Sequence, residues 1–150
     1  MRAGILTISD RSFRGERPDA SGPVIAEIVA AAGGQVALTG VVPDERDQIA
    51  AKLVAWAEGD QVDVIFTTGG TGFAPRDVTP EATHAVIDRE APGLAEAMRA
   101  ASLLKTPHAM LSRAVCGMRG RVLIINLPGS PKAVRENLEV ILPVLPHALQ

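Results

Sequence analysis

The chain has a single cysteine, Cys116, so it can form no intrachain disulfide and no cysteine-based zinc site. It has no tyrosine, one tryptophan and three phenylalanines, too few for a platform that stacks nucleic-acid bases. Its three histidines, His84, His108 and His147, are scattered without the i,i+4 partner of a helical zinc site. Neither sign of charge dominates, because 15 Lys and Arg stand against 17 Asp and Glu. A nucleic-acid partner calls for a basic face, so that class is disfavoured. No window reaches the ~20 apolar residues of a membrane span, and the segment after Met1 lacks the long apolar stretch of a secretory leader. A hydrolase elbow (G-x-S-x-G) is absent, as are the GxGxxG and GxxxxGK[ST] phosphate loops. These absences leave a cytoplasmic protein with neither a membrane nor a nucleic acid as partner.

What is present suits one domain over residues 1–150, with no added domain or C-terminal extension expected. With 150 residues and 47% apolar content, the chain can bury a full core without staples. Ala3–Ser9 reads as a buried strand, and Asp10–Gly22 as a polar loop. Ser21 or Gly22 can cap a helix that places Pro23 at its first position. Val24, Ile25, Ile28, Val29 and Ala32 form its apolar stripe, and Gly33-Gly34 ends it. Gln35–Val42 is a second strand. Asp47 is placed to cap a helix with Ile49, Leu53, Trp56 and Ala57 on its core face. Val62–Thr68 has the continuous apolar character of a buried parallel strand. Thr79 is read as the cap of a further helix, and Ala91-Pro92 opens another that runs to about Leu104. Leu111–Met118 and Arg121–Asn126 read as strands joined at Arg119-Gly120 in a hairpin. Ser130 caps the last helix, with Pro131 at its first position. Strand and helix alternate, so the fold class is α/β. The expected form is a three-layer α/β/α, Rossmann-like arrangement, with a mostly parallel sheet and an antiparallel edge hairpin.

Parallel sheets bind ligands at the C-terminal ends of their strands. Polar clusters sit at such ends here, namely Ser9-Asp10, Pro43-Asp44, Thr68–Asp77 and Asn126–Ser130. If their strands run parallel, these clusters converge on one rim. Gly69, Gly70, Thr71 and Gly72 form a turn whose backbone can approach an anion closely, or which is simply a tight turn. Asp44 and Asp77 are candidate metal ligands, since Mg²⁺ takes one or two carboxylates and completes its shell with water and phosphate. The plainer readings are a turn residue for Asp44, and an ion pair with Arg76 or an Asx turn for Asp77. Asp10 is either a turn former or a ligand contact. Arg113, beside Ser112, is either a binder of phosphate or another ligand oxygen, or half of a surface ion pair. Cys116 and Trp56 read as packing.

Taken together, the segment T-T-G-G-T-G…P-R-D-V-T-P-E-A-T (Thr67–Thr83) resembles the MogA-type molybdopterin adenylyltransferases and the related gephyrin G domains. Weaker similar pieces follow the same order along the chain. They are Ile8–Asp10, Asp19–Pro23, Pro43–Glu45, Asp88–Glu90 with Pro92-Gly93, Leu111–Arg113 and Asn126–Pro131. The intact Arg76–Pro80 run favours the MogA-like reading over the MoaB-type one. This resemblance implies transfer of AMP from ATP to molybdopterin, with Mg²⁺ and release of pyrophosphate. It implies Asp44 and Asp77 as catalytic acids that meet the metal, and Gly69–Gly72 around the phosphate-bearing part of the ligand. Ser9, Asp10, Ser112, Arg113, Pro128, Gly129 and Ser130 would line the rest. A homotrimer and a downstream molybdate-insertion protein are also implied. The alternative is a non-catalytic molybdopterin carrier or scaffold of the MoaB type.

Overall fold

Side chains of the central strands alternate between two cores. β1 (Arg2–Ile8) sends Ala3 and Ile5 to one face and Leu6 and Ile8 to the other. β3 (Val64–Thr68) divides Val64 and Phe66 from Ile65 in the same way, and β6 (Val122–Leu127) divides Leu123, Ile125 and Leu127 from Val122 and Ile124. Strands buried on both faces need a helical layer over each. Helices α2 (Ser21–Ala31), α5 (Pro92–Leu103) and α6 (Pro131–Ile141) cover the first face through Ile25, Met98, Val134 and Leu138. Helices α3 (Arg46–Glu58) and α4 (Thr79–Val86) cover the second through Ile49, Leu53, Ala82 and Val86. The computed structural model describes residues 1–150 and is the expected three-layer α/β/α arrangement.

The sheet has six strands, completed by β2 (Gln35–Val42), β4 (Arg89–Glu90) and β5 (Cys116–Arg119), in the order β2-β1-β3-β6-β5-β4. β2, β1, β3 and β6 are parallel neighbours. β5 turns back antiparallel to β6 through Arg119–Val122, and β4 pairs antiparallel with β5. No helix is long and apolar enough to cross a membrane.

Several local expectations need correction. Leu111–Met118 is not one strand, because Pro107–Leu111 forms a 3₁₀ turn with Met110 and Leu111 exposed, and β5 starts only at Cys116. The loop expected after β1 contains a short helix, α1 (Asp10–Phe13), whose Ser12 N–H is capped by Ser9 Oγ at 3.2 Å. Asp47 lies inside the first turn of α3 and Glu45 holds the cap position. Thr79 is the first residue of α4, and its hydroxyl serves Gly69 rather than the helix. At α2 the capping oxygen comes from Asp19, whose Oδ1 accepts from Gly22 N–H at 3.0 Å. Ser130 caps α6 as expected, accepting from Ala133 N–H at 3.2 Å. Cys116 is buried, which pushes its thiol up to about 12, so it is inert packing.

One polar residue is fully buried at the end of β6. Asn126 Nδ2 donates to Thr67 Oγ1 and Thr83 Oγ1, each at 3.0 Å, and its Oδ1 accepts from Val115 N–H at 3.0 Å. It thereby ties β3, α4 and the lead-in to β5 to β6. Asn126→Ala strands the Val115 amide and opens a cavity. The expected loss is about 2–4 kcal/mol in urea unfolding, with Thr83→Val losing about 1. Equal stability of Asn126→Ala and the parent would contradict this role.

Candidate active site

The order β2-β1-β3 makes the chain leave β1 in one direction and return past it in the other. α2 packs on one face and α3 on the opposite face, so a crevice opens beyond the ends of β1 and β3. A cleft of about 610 Å³ fills this crevice. Ser9 reaches it from the end of β1, Asp44 from β2, Gly69, Gly70 and Asp77 from the segment after β3, and Gly129 and Ser130 from β6. The parallel strand ends therefore converge. Thr71, Gly72, Ser112 and Pro128 instead line a second cavity of about 290 Å³, with Met98 and Leu111 among its apolar walls. Asp10 and Arg113 line neither cavity. The glycine turn and the Pro128–Ser130 loop are thus walls common to both spaces.

The turn is glycine for steric reasons. Gly69 and Gly70 have φ of 102° and 69°, a region that side chains resist. A Cβ on Gly69 would strike the Ile8 carbonyl oxygen, and one on Gly70 the Thr79 hydroxyl. The turn is held from all sides. Gly69 N–H donates to Leu127 O (3.2 Å), Thr79 N–H to Gly70 O (3.2 Å) and Thr79 Oγ1 to Gly69 O (2.9 Å). Thr68 Oγ1 donates to Pro128 O at 2.6 Å. The N–H groups of Gly70, Thr71 and Gly72 donate to no backbone carbonyl. α2 and α6 also begin at the cleft, where Ser21 and Pro131 line it. Free amides and helix starts attract anions. Arg17 is the one cationic side chain on the cleft lining.

The acids are held in different ways. Asp44 Oδ2 accepts from Asp10 N–H at 2.9 Å, and Asp10 Oδ1 accepts from Asp44 N–H at 2.9 Å. Burial raises the Asp44 carboxyl above its ordinary range, and the charges of Asp10 and Asp77 add to this. Asp77 Oδ2 accepts from Ala74 N–H at 3.0 Å, closing a turn in its own loop. Arg76 does not pair with Asp77; it grips Asp10 and Glu45. Arg113 donates to Gly72 O (2.8 Å), Asp77 O (2.7 Å) and Glu81 Oε2 (2.6 Å), so its guanidinium braces the glycine loop from behind.

Sequence reasoning did not single out Arg17, Ser12 or Thr7, which also line the cleft. Thr7 follows from strand alternation, and Ser12 from the cap spacing Ser9-x-x-Ser12. Arg17 carries no pattern that distinguishes it from a surface arginine. Asp19, next to it, accepts from the Thr7 hydroxyl at 2.7 Å.

A family model described as "Probable molybdopterin binding domain" matches residues 4–147. The chain belongs to this molybdopterin-binding family. The molybdopterin adenylyltransferase of Helicobacter pylori is 43% identical over 152 residues, covering 97% of this chain and 84% of that protein. The molybdenum cofactor synthesis protein cinnamon of Drosophila melanogaster is 45% identical over 97% of this chain, but the match spans 24% of the fly protein. The chain thus has the length of about a quarter of that relative. Among solved structures, the molybdopterin biosynthesis enzyme MoaB of Thermus thermophilus is 58% identical, with a TM-score of 0.93 over 99% of this chain and 93% of that one. MoaB and adenylyltransferase names both occur among family members so similar to this chain.

The arginine braces leave a signature in acid. Asp10 is held below its ordinary range chiefly by the Arg76 hydrogen bonds, and Glu81 by those of Arg113. Both ionise more readily in the folded chain than in the unfolded one. Their stabilisation is complete above the unfolded values, about 3.9–4.3, and is lost as pH falls through the lower folded values. In urea unfolding below about pH 4, Arg113→Gln is expected to lose stability less steeply than the parent, because its Glu81 has lost the largest cause of the lowered folded value. Parallel acid profiles for the two proteins would count against this pairing.

Proposed function

We propose that this protein is a molybdopterin adenylyltransferase of molybdenum cofactor biosynthesis, and that residues 1–150 form one such domain. The observation that carries this reading is the turn Gly69–Gly72, a single stretch of backbone that walls two cavities. A two-substrate transfer needs two bound molecules to meet at one point. The first cleft suits the triphosphate of ATP, which Arg17 and the starts of α2 and α6 attract. The second cavity, with Ser112 and Pro128 beside apolar walls, suits the pterin. The free amides of Gly70, Thr71 and Gly72 lie between them and suit the pterin's phosphate. The names of the Helicobacter pylori and Escherichia coli relatives support the same activity.

In this reading an oxygen of the molybdopterin phosphate bonds to the α-phosphorus of ATP. The bond from that phosphorus to the bridging β oxygen breaks, and pyrophosphate leaves. No covalent enzyme intermediate is required, because positioning and neutralisation of charge carry the catalysis. Ser9, Gly129 and Ser130 shape the cleft around the nucleotide. Asp10 and Arg113 act from behind the lining, one on Asp44 and the other on the Asp77 loop. Asp44 and Asp77 fit Mg²⁺ by their chemistry. They are hard oxygen donors on separate loops of one cleft, and no cluster of three or more metal-ligating side chains offers a complete protein cage. When bound there, Mg²⁺ would neutralise phosphate charge.

Pyrophosphate release from ATP in the presence of molybdopterin tests the proposal. Asp44→Asn and Asp77→Asn are each expected to cut turnover at least about hundredfold while the thermal midpoint stays near the parent's. Chelation of divalent cations stops release and added Mg²⁺ restores it. Molybdopterin binding without pyrophosphate release would assign the non-catalytic carrier instead.

The family reading also implies a cytoplasmic homotrimer that hands its product to a molybdate-insertion protein. Exposed apolar side chains support self-association, with Leu104 90% and Met110 67% exposed and Leu111 nearby. Light scattering is expected to give the mass of three chains, and Leu104→Glu with Met110→Glu to reduce it. A monomeric parent would remove the trimer from the proposal.

A further inference from the structure

We infer that Arg76, which lines neither cavity, is a positioning residue for the Asp44 carboxylate and acts through Asp10. The inference rests on the reading that Asp44 serves the chemistry of the cleft.

Arg76 lies in the irregular segment between β3 and α4. Its Nε donates to Asp10 Oδ2 and its terminal nitrogen to Asp10 Oδ1, both at 2.9 Å. This two-point grip fixes the plane of the Asp10 carboxylate in a way that one hydrogen bond cannot. The same terminal nitrogen reaches Glu45 Oε1 at 3.0 Å. Both members of that second pair are about half exposed, so it contributes little. Asp10 is more sheltered, with a side chain 20% exposed.

With its carboxylate held, Asp10 closes a ring with Asp44. Asp10 Oδ1 accepts from the Asp44 N–H while Asp10 N–H donates to Asp44 Oδ2. Both the backbone and one carboxylate oxygen of Asp44 are thereby fixed. The other oxygen, Oδ1, lies over the glycine turn, where a Cβ on Gly70 would come within 3.1 Å of it. This oxygen accepts no hydrogen bond from the protein, and both Asp44 and Gly70 line the cleft. Arg76 is also the cation set among Asp10, Asp44 and Glu45, and its charge offsets part of the repulsion between Asp10 and Asp44. The loops after β1, β2 and β3 meet at this one guanidinium.

The test uses the full chain and the variants Arg76→Gln, Arg76→Lys, Asp10→Asn and the double variant Arg76→Gln/Asp10→Asn. Amide hydrogen exchange at Asp44 reads the ring without any turnover, and Mn²⁺ titration by electron paramagnetic resonance reads the open carboxylate. In Arg76→Gln, exchange at the Asp44 amide is expected to rise about tenfold, and Mn²⁺ affinity to fall about 10–100-fold. The kcat for adenylation falls while KM for ATP changes little. Arg76→Lys, which keeps the charge but not the fork, recovers only part of each loss. The double variant is no worse than Arg76→Gln, because the two residues act as a unit. Unchanged Asp44 exchange in Arg76→Gln, or additive losses in the double variant, would overturn the inference. Should Arg76→Gln not fold, Asp10→Asn and Arg76→Lys read the same ring, and unchanged Asp44 exchange in both overturns it equally. A parent chain that releases no pyrophosphate sinks the proposed function, whereas the exchange measurement still decides the role of Arg76.

Discussion

A chain of hydrogen bonds runs from the dry interior to the rim, and the geometry of the rim depends on it. Asn126 donates to Thr83, the Thr83 hydroxyl donates to the Thr79 carbonyl at 2.9 Å, and the Thr79 hydroxyl donates to the Gly69 carbonyl. Asn126, Thr83 and Thr79 are all buried. An unpaired polar group is costly in such surroundings, so the chain holds together as a unit or not at all. It engages the carbonyl of Gly69 and, through the Thr79 N–H, that of Gly70, while the N–H groups of Gly70, Thr71 and Gly72 donate to no backbone carbonyl. The free amides of the turn are thus a by-product of how the core satisfies its own polar atoms.

The charges of the site follow a division of labour. Arg76 and Arg113 are both engaged behind the lining, where they brace loops. Arg17 alone faces the cleft, against Asp19, Asp44 and Asp77. Three carboxylates against one guanidinium leave the side-chain balance of the lining negative, so much of the attraction for a phosphate falls to backbone amides and helix starts. In the proposed reading, this balance suits a nucleotide that arrives with its Mg²⁺. Burial of Asp44 points the same way, since a carboxylate removed from water gains most from a cation placed against it.

Much of this was legible in the sequence, for physical reasons that differ from element to element. β2 matches its expected bounds because Gly33-Gly34 and Pro43 punctuate it on both sides. Ser130-Pro131 marks the start of α6 by side-chain chemistry and fixed φ, both local properties. The cluster at each parallel strand end was visible, and the parallel order made the clusters meet. Local rules failed where tertiary partners decided. Thr79 looks like a cap, yet its hydroxyl is claimed by Gly69, ten residues earlier. Arg113 looks free to bind a ligand, but three acceptors in the Gly72–Glu81 stretch engage it. β4 spans two exposed residues, too few for any alternation to register. α1 is a four-residue turn in a polar segment with no buried residue, so periodicity had nothing to report.

The shared wall between the two cavities has a thermodynamic consequence. Gly69–Gly70 faces one space and Thr71–Gly72 the other, with no flexible spacer between them. If an occupant of one space tightens the turn, it alters the free energy of filling the other. Linkage makes that influence mutual, so the factor by which either occupant changes its neighbour's affinity is the same in both directions. Order of arrival can then be set by concentration alone, and the doubly filled state is equally stable by either route.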